Sequence, residues 1–220
     1  MRRLILGIGR PNHLPRSGSL WLRSCPGELL DGLVEVAKDG RAWRIGTASD
    51  VAWIAEGTTS GFAVTAAVPP VFEAYATYFE LDDYPSPVNV QESAVVHHLV
   101  KRSGDQPWWL GFLDTGAHDI VFEHVPKVAL YSDWPYVLVE AGPLQALIWR
   151  TGHMRAQYGA LPDLLFPADR AWLVSALWDD TWTCVGGPAD LIRSLQQDPR
   201  VQARPVRLDE GAAPPGHEYL

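Results

Sequence analysis

The chain's most specific chemical string is Phe112-Leu113-Asp114-Thr115-Gly116-Ala117. The apolar residues read as a strand end, and Thr115 and Gly116 suit a tight turn directly after it. A carboxylate held there can face an identical carboxylate. Two such groups share one proton, their like charges split the pKa values, and one of them then activates water. The same residues, continued by His118 and Asp119, also make a good hairpin turn in which Asp114 is structural. A metal-dependent hydrolase is a third reading, because Asp114, His118, Asp119, Glu123 and His124 are all potential ligands, with His97 and His98 nearby in sequence. Their spacing matches no ligand motif. On a helix His97 and His98 diverge by about 100° and flank the apolar stripe, so no metal and no cofactor are expected.

Asp114-Thr115-Gly116-Ala117 after two apolar residues resembles the catalytic signature of retropepsin-type aspartic proteases. His118 to Glu123 is similar to the acidic and apolar residues on the C-terminal side of that signature. The resemblance implies a homodimeric hydrolase with Asp114 as the catalytic carboxylate of each subunit, supported by Thr115 and Gly116. Cys184-Val185-Gly186 before a helix is similar in outline to the family's downstream strand and helix. The chain has no second Asp-Thr-Gly or Asp-Ser-Gly, and Gly142 and Gly152 are the only glycines between Val125 and Tyr158. From Ser49 onwards the sequence also resembles uncharacterised actinobacterial proteins, which implies no activity.

A different chemistry is offered by aromatic and acidic residues in the β-prone regions. Trp108, Trp109, Trp178 and Trp182 lie near strand ends, with Asp179 and Asp180 between the last two. Aromatic residues are enriched at binding hot spots, and a tryptophan beside acidic turns suits a protein partner with a basic surface. Adjacent Trp108 and Trp109 must face opposite sides of a strand, so either one reaches an interface or both sheet faces are covered. Cys184 precedes a helix start that can lower a thiol pKa, but it also reads as a buried strand residue. No phosphate-binding glycine loop or Gly-x-Ser-x-Gly elbow occurs.

Composition narrows the class. With 18 basic and 26 acidic residues the net charge is −8, and no basic cluster exists beyond isolated pairs. Nucleic-acid binding therefore lacks its electrostatic footprint. The arginines outnumber the lysines by 15 to 3, a bias of GC-rich codon usage rather than a physical device. Two lone cysteines fit a reducing cytoplasm, the N-terminal apolar run is too short for a signal peptide, and no window is apolar enough to span a membrane. Ten tryptophans make either a heavily aromatic core or a binding face. Together these point to a non-catalytic, immunity- or antitoxin-like or accessory binding protein.

The elements that must position these groups form an α+β domain, an antiparallel β-sheet with helices packed on it. Residues 1–26 are expected to be a loosely ordered arm, 27–208 the domain and 209–220 a flexible tail. Helices are expected at Gly27–Lys38, from a Ser49 cap to Glu56, at Val90–Arg102, from Pro143 to Arg150 and at Pro188–Gln197. Phe62–Val68 is β-prone, and Val71–Leu81 fits helix or strand. Trp108–Leu113, Asp119–Phe122, Val128–Tyr131 and Tyr136–Glu140 read as a meander, and Thr151–Ala168 as loop. Trp172–Trp178, an Asp179-Asp180 turn, Thr181–Val185, a helix and a strand at Val201–Val206 make a C-terminal hairpin-helix-strand unit. In that hairpin Cys184 sits opposite Ser175.

Overall fold

A computed structural model of the chain describes residues 34–38, 41–79, 90–116, 122, 124–150, 161–177, 180, 182–201 and 203–213. All lie in the compact unit Gly32–Leu220. The strands are β1 (Val34–Lys38), β2 (Arg41–Ile45), β3 (Ala74–Phe79), β4 (Trp108–Leu113), β5 (Val128–Leu130), β6 (Trp134–Ala141), β7 (Leu164–Pro167), β8 (Leu173–Ala176), β9 (Trp182–Gly187) and β10 (Arg204–Pro205). They form one sheet in the order β1-β2-β6-β4-β7-β8-β9-β3-β10, with β5 paired to β6. Every pairing is antiparallel. Helices α1 (Ala48–Gly57), α2 (Val90–Ser103), α3 (Pro143–Ile148) and α4 (Ala189–Gln197) pack on it, so the domain is α+β.

Strand alternation divides the core in two. Trp108, Leu110 and Phe112 pack with Val95 and Leu99 of α2 and Leu191 and Leu195 of α4. Trp109 and Leu113 face the other way, towards Val51 and Ile54 of α1 and Val64 and Val68. Because β4 is buried on both faces, its neighbours come very close: a Cβ on Gly111 would lie 2.7 Å from Leu164 Cβ. Each large side chain fully buried here contributes roughly 1.5–3 kcal/mol.

Two helices form as the sequence spacing requires. In α2 the stripe Ala94, Val95, Val96 and Leu99 is buried, Lys101 and Arg102 face the negative helix end, and Gly104 (φ +56°) terminates it. In α4 Leu191, Ile192 and Leu195 are buried on one face. The α1 start differs: Thr47, not Ser49, is the cap, and its N–H is held at 2.8 Å by the carboxylate of Asp50.

Other segments depart from their local patterns. Residues 34–38 form a strand rather than a helix end, paired with β2 from Val34↔Ile45 to Lys38↔Arg41. Asp39-Gly40 is a hairpin signal as much as a helix stop, and the sheet edge supplies partners that periodicity cannot register. The first part of that expected helix lies outside the described residues. Val64–Ala66 is a single 3-10 turn, and Val64 and Val68 are both buried in the second core. Within Val71–Leu81 the strand β3 forms over Ala74–Phe79. β7 falls in the expected 151–168 loop: Leu164, Leu165 and Phe166 are too short a run to declare a strand, yet they sit between β4 and β8. β4 lies between β6 and β7, so the middle is not a simple meander. Of Asp119–Phe122, only the buried Phe122 is described.

The C-terminal hairpin has the expected register, Ser175 opposite Cys184. The returning strand is only Arg204–Pro205 and pairs with β3. Beyond Leu208 the chain is held as far as Ala213. Ala212 is buried, its N–H donates to Phe62 O at 2.8 Å, and Arg204 Nη2 donates to Gly211 O at 2.8 Å and Ala213 O at 2.7 Å.

Candidate functional site

Asp114 leaves the end of β4, and its own N–H donates to Pro135 O at 2.8 Å. One carboxylate oxygen accepts the Gly116 N–H at 3.0 Å, and the other is ion-paired with Lys127. Gly116 has φ +75°, which favours glycine, and Thr115 is half-buried beside it. The carboxylate thus closes a turn and neutralises a lysine. His118, Asp119 and Glu123 lie outside the described residues. Among the described residues no three His, Cys, Asp or Glu side chains converge on a metal position.

Just inside this turn a buried arginine pairs with a half-buried aspartate. Arg150, only 3 % exposed, donates from Nη1 to Asp163 Oδ1 at 3.0 Å and from Nη2 to Oδ2 at 2.5 Å. Asp163 also accepts the Leu113 N–H at 2.7 Å, and the guanidinium lies 5.3 Å from the Phe112 ring centroid. These groups tie β4 to the start of β7.

His97 and His98 have separate roles. His97 is exposed, whereas His98 Nε2 lies 2.9 Å from Asp198 Oδ2. Asp198 also accepts Arg200 Nε at 2.8 Å and Nη2 at 2.6 Å. The Arg200 hydrogen bonds, against the cost of burial and helped by His98, hold the Asp198 carboxyl well below the usual carboxylate range.

The aromatic candidates are also separated. Trp108 and Trp109 face opposite sides of β4, as adjacent strand residues must, but both sides are covered: they are 1 % and 5 % exposed. Trp108 packs edge-on against Trp172 at 4.9 Å, and the Arg44 guanidinium lies 4.7 Å from the Trp109 ring. Neither reaches a binding surface, which corrects the expectation that they line one. Trp178 and Asp179 lie outside the described residues.

Asp180 and Trp182, by contrast, line a recess of about 200 Å³ with Phe62, Trp134 and Leu177, and Cys184 contributes to the wall. The recess shares Gly61, Ala66, Trp134 and Leu177 with a cleft of about 360 Å³, which Thr58, Ser60, Ser132 and Asp133 line further along. Phe62 is 86 % exposed at its rim. Among the described residues, Asp133 and Asp180 are the charged side chains of the combined lining.

Local backbone geometry places this wall. Tyr131, Ser132 and Asp133 link β5 to β6 with φ values of 49°, 70° and 68°. Three successive non-glycine residues in the left-handed region cost about 1–2 kcal/mol each, so other contacts must hold them. Tyr131 Oη donates to Ala67 O at 3.0 Å and lies 2.9 Å from Ser175 Oγ, and its ring packs edge-on against Tyr136 at 5.9 Å. Burial pushes the Tyr131 hydroxyl far above its ordinary range, so it stays protonated and keeps this anchor. The strained turn thereby presents Asp133 and Trp134 to the cleft.

Cys184 is no nucleophile here. Burial first, and then the negative charge of Asp180, raise its pKa well above the ordinary value, which suppresses the thiolate. Trp182 carries a further feature: its Nε1–H is buried and has no acceptor. Aromatic faces, two carboxylates and hydroxyl groups together suit recognition of a cation.

Sequence reasoning reached Asp180 and Trp182 but missed Phe62, Tyr131, Asp133 and Trp134. The available signal was Tyr131-Ser132-Asp133, turn residues directly preceding a tryptophan. Among the described residues no helix is long and apolar enough to cross a membrane. Comparison with protein-family models, with curated proteins and with solved structures gives no match in any of the three.

Proposed function

We propose that this protein is a non-catalytic, cytoplasmic binding protein of the immunity, antitoxin or accessory kind, whose partner is a protein presenting a basic segment. The observation that carries this is the lining of the joined cleft among the described residues: Trp134, Trp182 and Phe62 with Asp133 and Asp180. Tryptophans supply rigid apolar area at low entropic cost, and the carboxylates select and steer a positively charged partner. The net charge of −8 adds long-range attraction of the same sign.

The test uses fluorescence anisotropy of labelled short peptides of basic, neutral and acidic composition with the full chain. The basic set should bind saturably, more weakly as salt screens the charges, and the doubly reversed variant Asp133→Lys/Asp180→Lys should lose it. Equal binding of all three sets, or an unaltered affinity in that variant, rules the reading out.

A further inference from the structure

Going beyond the peptide reading, we propose that the larger cleft is a site for a neutral saccharide, whose ring stacks on Trp134 and whose hydroxyls are met by Asp133, Ser132 and Ser60. The described lining comes from two places in the fold. One is the end of α1 with the loop after it, Ala55 and Thr58 to Gly61; the other is the β5–β6 turn, Tyr131 to Trp134. At about 360 Å³ the cleft is at the small end of the range for small-molecule sites, which suits one sugar ring.

Both parts of the lining are fixed by the protein itself. The Thr58 hydroxyl donates to Ile54 O at 2.9 Å, which leaves its oxygen able to accept. Thr59 is tied to Thr65 twice, by its N–H to Thr65 O at 3.0 Å and between the two hydroxyls at 3.2 Å. Across from them Tyr131, Ser132 and Asp133 are held at positive φ, with Tyr131 Oη bonded to Ala67 O and lying beside Ser175 Oγ. Backbone strain of this kind persists only where the surroundings over-determine it, and it clusters at ligand clamps. Glycines would close the β5–β6 hairpin without that cost. These residues instead bring a hydroxyl, a carboxylate and, next in the chain, an indole to one cleft.

The polar groups are of the kinds that ligand hydroxyls need. The hydroxyls of Thr59, Ser60 and Ser132 both donate and accept, as sugar hydroxyls do. The Asp133 carboxylate only accepts, and its two oxygens take neighbouring sugar hydroxyls in the stronger, charge-assisted kind of bond. The face of an indole is electronegative, so Trp134 receives the positively polarised C–H bonds on the apolar side of a sugar ring. A phosphate or other anion meets the Asp133 charge and is repelled, and a purely apolar ligand strips the hydroxyls of water without replacing it. Asp133 and Trp134 belong to both readings, so a sugar seated here covers part of the surface proposed for the basic segment.

The experiment titrates the full chain, labelled with ¹⁵N, with glucose, mannose, galactose and N-acetylglucosamine. Cyclohexanol, a ring of the same size with a single hydroxyl, is the comparison. At least one sugar should saturably shift the amides of Ser60, Ser132 and Asp133 and the Trp134 indole N–H, which Trp134→Phe assigns. Cyclohexanol should bind about tenfold more weakly than that sugar. Asp133→Ala, at an exposed side chain, should weaken the sugar about tenfold while the rest of the amide spectrum stays in place. The absence of a saturable response to all four sugars overturns the site. So does cyclohexanol binding as tightly as the best sugar, or an unaltered affinity in Asp133→Ala. The titration contains no peptide, so the two readings fail separately. Sugar binding without basic-peptide binding removes the protein-binding function and keeps the site; the reverse result removes the site alone.

Discussion

Asp114 and Asp180 each stand at the end of a strand next to aromatic residues, yet the molecule treats them differently. Around Asp114 the polar groups are consumed by the fold. Its carboxylate closes the turn at Gly116 and pairs with Lys127, and just inside it Arg150 and Asp163 complete each other while holding Leu113. Around Asp180 the fold brings together aromatic faces and a second carboxylate, and leaves a tryptophan donor unanswered. A carboxylate that answers a cation of its own chain stabilises structure. A carboxylate that lines an aromatic cleft stands where a molecule entering the cleft can reach it. Residue type does not separate the two cases; the surroundings do.

That contrast breaks most visibly at the Arg150–Asp163 pair. Arg150→Ala leaves the Asp163 charge inside the protein without its fork, and should lower unfolding stability by about 3–5 kcal/mol in urea titrations. Because Arg150 does not line the cleft, the variant should keep its basic-peptide affinity under conditions in which it is folded. A loss below about 1 kcal/mol would mean that the pair does not hold β4 to β7.

Tyr131→Phe links the two regimes, since its hydroxyl is structural but the turn it holds faces the cleft. Removing bonds to Ala67 O and Ser175 should cost about 1–2 kcal/mol in the same titration. It should also weaken basic-peptide binding several-fold, as the strained turn loses its anchor. Unchanged binding would separate the turn from the cleft.

The pH dependence sharpens the structural side through Asp198. Its folded-state pKa is depressed by Arg200 and His98, so the stability it contributes is present above the ordinary carboxylate value near 3.8. That contribution should be lost as the pH falls below this value towards the lower folded pKa. Urea midpoints measured from neutral to acid pH should therefore fall less steeply in Asp198→Asn than in the unaltered chain.

The smallest effect is expected at Asp114. Asp114→Asn retains an oxygen for the Gly116 N–H and loses the partly exposed ion pair with Lys127, so the cost of that pair should be within about 1 kcal/mol and shrink in salt. Cleft binding should not change. A loss of binding in this variant would place Asp114 in the function instead.

The elements that were legible in the sequence are those whose partners lie close in the chain. The α2 stripe Val95, Val96 and Leu99 and the α4 stripe Leu191, Ile192 and Leu195 are set by helical spacing. The β8–β9 register, Ser175 opposite Cys184, follows from a short turn that counts residues. β7 was not legible, because three apolar residues become a central strand only when β4 and β8 flank them. The strand Val34–Lys38 was hidden for the same reason: its pattern also fits a helix, and pairing with β2 decides. In the candidate site Asp180 and Trp182 were readable as an acidic turn beside an aromatic residue. Phe62, Asp133 and Trp134 were not, since they come from separate segments with no shared spacing.

By itself, then, the sequence determined the acidic, tryptophan-rich α+β character, the amphipathic helices and the opposite facing of Trp108 and Trp109, because charge, periodicity and alternation are properties of neighbouring residues. Tertiary structure alone decided that both of those tryptophans are core, that Asp114 answers Lys127, and that Trp134 and Trp182 wall one recess. Those outcomes depend on which distant segments the sheet order brings together. Burial and the presence or absence of a countercharge are set by such neighbours, and no local pattern encodes them.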